Sequence, residues 1–170
     1  MRNIIYFFLL FSVHIINSQN IFDVSRNGTV DQLKEIYHKD STSIYAKNEN
    51  GHAPLTLACY NGNYDVVVFL VNKLDSIDFK SDYGSPLMAA VVKGETKIVS
   101  LLVESDADVN MTDKNGTTAL HYAVMFRNYD IIKLLLDVNA DFNLKDNRNQ
   151  SALDYALIFN DQTIINLLNN

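Results

Sequence analysis

The 170-residue chain has a single cysteine, Cys59, so it forms no intramolecular disulfide and offers no cysteine-based zinc cage. Two prolines and six glycines exclude a collagenous or proline-rich linker architecture. Basic residues are in deficit, 14 Lys and Arg against 20 Asp and Glu, for a net charge of −6. A nucleic-acid binder needs the opposite balance, because phosphate contacts draw on excess Lys and Arg. No five like charges follow one another, which removes basic arms and acidic tails. His-x-x-x-His spacing, an EF-hand loop, G-x-S-x-G and a phosphate-cradling glycine loop are all missing, so metal, hydrolase and nucleotide chemistry find no motif here. With 48% apolar and 20% charged residues, the chain can still bury a core. Its length fits one domain or a short repeat array.

Residues 1–18, MRNIIYFFLLFSVHIINS, differ from the rest. Arg2 supplies a positive start, residues 4–11 are an unbroken apolar run, and Ser18 is a small residue suited to the −1 position of a signal peptidase. This is the layout of a secretory signal peptide, and it is short for a membrane span. Ile16 at −3 is larger than the ideal alanine. Cleavage near Ser18 is expected, with an uncleaved anchor or a buried first helix as the alternatives. The expected location is therefore exported, periplasmic or secreted. The Asn- and Ile-rich composition and the Ser18-Gln19-Asn20 junction resemble exported proteins of AT-rich Gram-negative bacteria, especially the Bacteroidetes group.

The remainder repeats. Leu55, Leu87, Leu120 and Leu153 recur at intervals of 32, 33 and 33 residues, each preceded by Pro or Ala. Three residues after each lies an alanine: Ala58, Ala90, Ala123 and Ala156. Fifteen residues after each comes a second leucine: Leu70, Leu102, Leu135 and Leu168. Apolar pairs precede these leucines at Val66-Val67, Ile98-Val99, Ile131-Ile132 and Ile164-Ile165. Turn signals fall at Asn50-Gly51, Tyr83-Gly84, Asn115-Gly116 and Arg148-Asn149. A fixed period of this length marks a repeat solenoid, in which no unit buries its apolar face alone.

On these residues the chain resembles the ankyrin repeat, and residues 113–143 come nearest to a complete unit. The resemblance covers roughly residues 20–170. It implies an all-α solenoid of stacked helix-turn-helix units joined by short finger hairpins or turns. The units are a signal peptide at 1–18, a degenerate N-terminal capping repeat at 19–45, repeats at 46–78, 79–110 and 111–143, and a C-terminal capping repeat at 144–170. Thr118 is expected to cap its helix, and His121 to bond the neighbouring finger backbone. Asp106 and Asn139 are expected to take the left-handed residue that ends the second helix. Cys59 is read as a buried, inert thiol, and His38 and His52 as surface residues. Three departures stand out. The finger between Asp78 and Pro86 is one residue short, Leu74 stands at a C-cap glycine position, and Asp75-Ser76 replace Ala-Asp. The junction of the first two full repeats is therefore expected to be weak or kinked. The outward residues of the last unit, Asp161, Gln162, Thr163, Asn166, Asn169 and Asn170, are polar, which predicts a solvent-facing cap and a complete chain.

The resemblance also implies a non-catalytic protein-binding role with no cofactor, metal, small-molecule substrate or nucleic acid. A membrane enters only if residues 1–18 stay attached, and a monomer is expected. The candidate contact residues close the first helices on the concave side: Tyr60 and Asn61, Val92 and Lys93, Met125 and Phe126, Ile158 and Phe159. Five of these eight are apolar. An alternative is that these side chains fold back onto the next repeat. Finger tips add Tyr83, Lys114 and Arg148, with Glu49, Asn50, His52, Asp82 and Ser85 beside them. Asn115, Thr117, Asn147 and Gln150 complete the tips. Three roles fit: an exported adaptor, a periplasmic immunity or inhibitor protein blocking a toxin or lipase, and a host-directed effector.

Overall fold

In a computed structural model, residues 20–169 are described, and the segment read as a signal peptide, with His14 and Asn170, lies outside them. The described residues form ten α-helices in five consecutive pairs. These are α1 (Ile21–Asn27) with α2 (Val30–Lys39), α3 (Pro54–Tyr60) with α4 (Tyr64–Val71), and α5 (Pro86–Lys93) with α6 (Thr96–Glu104). The last two pairs are α7 (Ala119–Met125) with α8 (Tyr129–Asp137) and α9 (Ala152–Ile158) with α10 (Gln162–Leu168). A short 3₁₀ turn, Ser41–Tyr45, follows α2. Odd-numbered helices stack on one another in one layer and even-numbered helices in a second. Among the described residues the β-structure is limited to an isolated bridge between Ser81 and Gly84.

The periodic residues explain this stacking. Ala58, Ala90, Ala123 and Ala156 are all fully buried, and their small side chains let successive odd helices approach closely. Leu55, Leu87 and Leu120, with Leu70, Leu102 and Leu135, fill the space between units. Caps set the helix starts. Ser85, Thr118 and Ser151 accept from the backbone N–H groups of Met88, His121 and Asp154. Asp106 and Asn139 take left-handed φ values of 62° and 61°, where Asn and Asp are the best-tolerated non-glycine residues. Arg127, at φ 54°, fills a left-handed turn that Gly62 and Gly94 fill in earlier units.

At the junction of the first two full repeats, expected from the sequence to be weak or kinked, α3 packs on α5 and the core runs through Leu70, Ile77 and Leu87. Lacking a left-handed residue there, the chain leaves α4 through N–H donation from Lys73 and Leu74 to the Leu70 carbonyl, each 3.0 Å. The last unit is polar on α10 but not on α9. Leu157 is 54% exposed and Ile158 63%. Leu157 stands where Cys59, Val91 and Val124 are covered by a following unit.

The short finger closes as a tight turn in which Ser81 and Gly84 exchange backbone hydrogen bonds of 3.1 Å. Gly84 has φ 104°, and a Cβ there would collide with Met88 Sδ. Gly84→Ala is expected to destabilise the fold by roughly 1–3 kcal/mol, the scale of a side chain held in a glycine-only conformation. Thermal unfolding of the purified variant checks this; an unchanged midpoint would contradict the turn geometry.

Candidate binding groove

The fingers and the odd-helix layer meet along one side of the array, and a groove of about 490 Å3 opens there at the junction of the first two full repeats. That volume sits within the roughly 300–1,000 Å3 range of ligand pockets. Its origin lies in the register of the repeat. In the third full unit the fourth residue of the finger-to-helix motif is His121. Its Nδ1 lies 2.8 Å from Thr118 Oγ1 and accepts the Thr118 backbone N–H, and its Nε2 reaches the Gln150 carbonyl of the next finger at 3.1 Å. In the first full unit the matching residue is Thr56, too short to span that gap. The next finger is the shortened one: two residues separate Ser81 from Gly84, where three separate Asp146 from Gln150. Ala53 provides no side-chain cap either. A small side chain, a deleted residue and a missing cap coincide, and the space stays open.

Each wall comes from a different element. Helix α3 contributes Thr56, Leu57 and Tyr60, α5 contributes Met88, Ala89 and Val92, and α7 contributes Tyr122, with Phe126 at its C-cap. Arg26 of α1 and the finger residues His52 and Tyr83 complete the rim. Tyr60, Tyr83 and Phe126 are 46%, 63% and 57% exposed, a large exposed aromatic area. The Tyr122 ring stacks on Phe126 with centroids 6.4 Å apart, and its hydroxyl donates to Asp113 Oδ2 at 2.7 Å. Burial, then that carboxylate, pushes the Tyr122 phenol up to about 12. Lys93 lies 5.0 Å from the Tyr60 ring centroid, and Lys114 lies 5.0 Å from that of Tyr83. These cation–π contacts hold both ammonium groups beside the groove. Arg26 is held at 2.8 Å by Asp23.

His52 corrects the surface expectation. Its ring is half-buried, tilted against Tyr83 with centroids 5.2 Å apart, and its Nδ1 is buried. Burial, and then the Arg26 charge, lower its pKa, which favours the neutral ring. His52 Nδ1 and Thr56 Oγ1 are buried polar atoms with no hydrogen-bond partner, and both residues line this groove.

Of the sequence candidates, Tyr60, Asn61, Val92, Phe126 and Tyr83 converge on the groove, with Lys93 and Lys114 stacked on its rings. Asn61 turns its amide back to donate to the Leu57 carbonyl at 2.8 Å. Met125 is partly buried against the core. Ile158, Phe159 and Arg148 lie in the last unit, away from the groove, where Phe159 packs against Tyr155 beneath Arg127. Two finger candidates, Ser85 and Thr117, are buried rather than presented at tips. Sequence reasoning missed Arg26, Thr56, Met88 and Tyr122. The signal that could have found Thr56 was its occupation of the histidine position opposite a shortened finger. Cys59 is fully buried, and burial pushes its thiol pKa far up, which leaves it unreactive. Among the described residues no His, Cys, Asp and Glu cluster could hold a metal, and no helix is long and apolar enough to cross a membrane.

A family model described as ankyrin repeat matches residues 50–81, and one described as ankyrin repeats (many copies) matches residues 87–136. Among curated proteins, the chain is similar to protein fem-1 homolog CG6966 of Drosophila melanogaster, 32% identical over 112 residues, covering 58% of this chain and 17% of that protein. It is 40% identical over 113 residues to ankyrin repeat and SAM domain-containing protein 6 of Mus musculus, covering 65% of this chain and 13% of that protein. Interferon antagonist OPG039 of Monkeypox virus is 35% identical over 104 residues, covering 60% of this chain and 36% of that protein. The chain thus spans about a sixth or less of the length of the first two.

Proposed function

Because the chain is built of ankyrin repeats, which generally mediate protein–protein interaction, we propose that it is a non-catalytic module holding a partner protein in the groove between its fingers and its odd-numbered helices. The observation that carries this reading is the cluster of exposed rings, Tyr60, Tyr83 and Phe126, gathered around one concavity. Tyrosine is among the residue types enriched where most of the energy of a protein interface is concentrated, and contiguous exposed apolar area marks such sites. An exported location belongs to the same proposal and rests on residues 1–18.

The test is capture of partners by the full chain, expressed in its source cells, against a Tyr60→Ser/Phe126→Ser variant shown by circular dichroism to be folded. Both substitutions remove rings exposed by about half, so the fold should survive. Loss of a captured protein in the variant supports the groove; identical capture by both forms overturns it. Mass spectrometry of the recovered bait should find Gln19 as its first residue, and retention of residues 1–18 would overturn export by cleavage. The captured partner separates an adaptor from an inhibitor of a toxin or lipase and from a host-directed effector. A blocking role is the second reading, favoured by the viral relative, which is itself named an antagonist.

A further inference from the structure

We infer that the groove is a tyrosine socket: it receives a tyrosyl side chain of the partner, whose phenol hydrogen-bonds His52 and Thr56. This rests on the proposal that the groove binds a protein, and it names the chemistry of what enters.

Thr56 is only 6% exposed, and its hydroxyl has no partner, nor has the Nδ1 atom of His52. Leaving such groups unpaired carries their full desolvation penalty. An occupant that bonds them recovers that loss. An occupant with an apolar tip, such as phenylalanine or leucine, leaves both unpaired. A carboxylate can only accept, and it enters a mostly apolar lining at high desolvation cost. The nearest guanidinium, Arg26, is already engaged by Asp23. A neutral imidazole presents one donor and one acceptor, and a threonine hydroxyl presents both. A phenol O–H also donates and accepts, so it satisfies His52 and Thr56 whichever ring nitrogen of His52 carries the proton. An indole N–H donates only, and fits one of the two arrangements.

The rest of the site matches the ring and its flanks. The ring lies against Tyr60, Met88, Val92 and Phe126, which supply apolar and aromatic faces. Outside it, Lys93 and Lys114 make no ion pair among the described residues and stand beside the opening in a chain that is acidic as a whole. The segment that fits is therefore a tyrosine with acidic neighbours in sequence.

The full chain is titrated with p-cresol and with toluene, which lacks only the hydroxyl, and followed by two-dimensional NMR. The expected result is shifts at Thr56, His52 and Val92, with p-cresol binding at least about tenfold more tightly. In Thr56→Val, a near-isosteric change, that preference should fall several-fold, because His52 alone then meets the phenol, while toluene binds as well as before. A blocked pentapeptide Asp-Glu-Tyr-Glu-Asp should bind more tightly than its Phe counterpart, by a factor that also falls in Thr56→Val. Equal binding of p-cresol and toluene, or a preference undiminished in Thr56→Val, overturns the socket. Selectivity for p-cresol without selectivity for the Tyr peptide overturns the protein-segment occupant. Failure of the socket while the Tyr60→Ser/Phe126→Ser variant still loses its partner leaves the binding groove standing, so the two proposals fail separately.

Discussion

Truncating Leu135 to alanine is expected to cost about 2–5 kcal/mol, a large part of the roughly 5–15 kcal/mol that a domain of this size holds in reserve. Leu135 lies on α8 and is fully buried. Its helix is packed between α6 and α10, so the side chain has neighbours on both sides. Deleting its methyl groups opens a cavity that neither flanking unit can close without moving its own helix. In a linear array each unit depends on its interfaces, so a cavity in an inner unit weakens two of them at once. Leu168, at the same register position on α10, has its described neighbours on one side only. Leu168→Ala should therefore cost distinctly less, despite identical chemistry. Urea unfolding of both variants checks this, and equal losses would show that position in the array does not matter. A Leu135→Ala loss under about 1 kcal/mol would contradict the burial itself.

That contrast bears on what could be read from the sequence. The leucine and alanine period is legible because the same packing problem is solved once per unit with the same side chains. The left-handed residues Asp106 and Asn139 and the bond from His121 to the next finger follow from the same regularity. The groove was legible only in part. Tyr60 and Phe126 could be placed on its wall because the helix period assigns them a side. Its depth could not, because it arises from the coincidence of Thr56 with a shortened finger one unit away, a relation between irregularities rather than a motif. Met125 and Phe126 are adjacent and similar in hydropathy, yet one packs inward and the other faces solvent. Their separation is decided by the turn after α7, where Phe126 is the C-cap and Arg127 takes a left-handed φ. In the last unit Ile158 was legible as a candidate for exposure, whereas Leu157 was not, because it stands on α9 at a register that a following unit covers in the earlier repeats.

Asp146→Ala should be the second large loss, roughly 2–4 kcal/mol at neutral pH, and its size should depend on pH. Asp146 Oδ1 accepts the backbone N–H groups of Arg148 and Gln150 at 2.9 and 3.0 Å, which shapes the last finger. Its Oδ2 accepts the Tyr155 hydroxyl at 2.6 Å. Removing the carboxylate leaves the buried Tyr155 hydroxyl unpaired, at about 1–3 kcal/mol, while water can reach the more exposed finger and recover part of the rest. Burial alone would raise the Asp146 pKa, but the bonds from Tyr155, Gln150 and Arg148 outweigh it, and the net shift is downward. A carboxylate depressed in the folded state stabilises the fold above its unfolded pKa of about 3.9, and that contribution disappears as pH falls through the lower folded value. The gap between wild type and Asp146→Ala should therefore hold from pH 7 to about pH 5 and narrow below pH 4. Tyr155 shifts the other way: the Asp146 carboxylate raises its pKa, so its share persists below the unfolded value of about 10 and is lost as pH rises beyond it. Asp146→Asn keeps an oxygen for the finger N–H groups but carries no charge, so its gap from Asp146→Ala should not narrow on the acid side. Urea midpoints measured from pH 3 to pH 7 on all three proteins decide the matter. A gap that stays constant through pH 3 would mean that the Asp146 charge plays no part in holding the last finger.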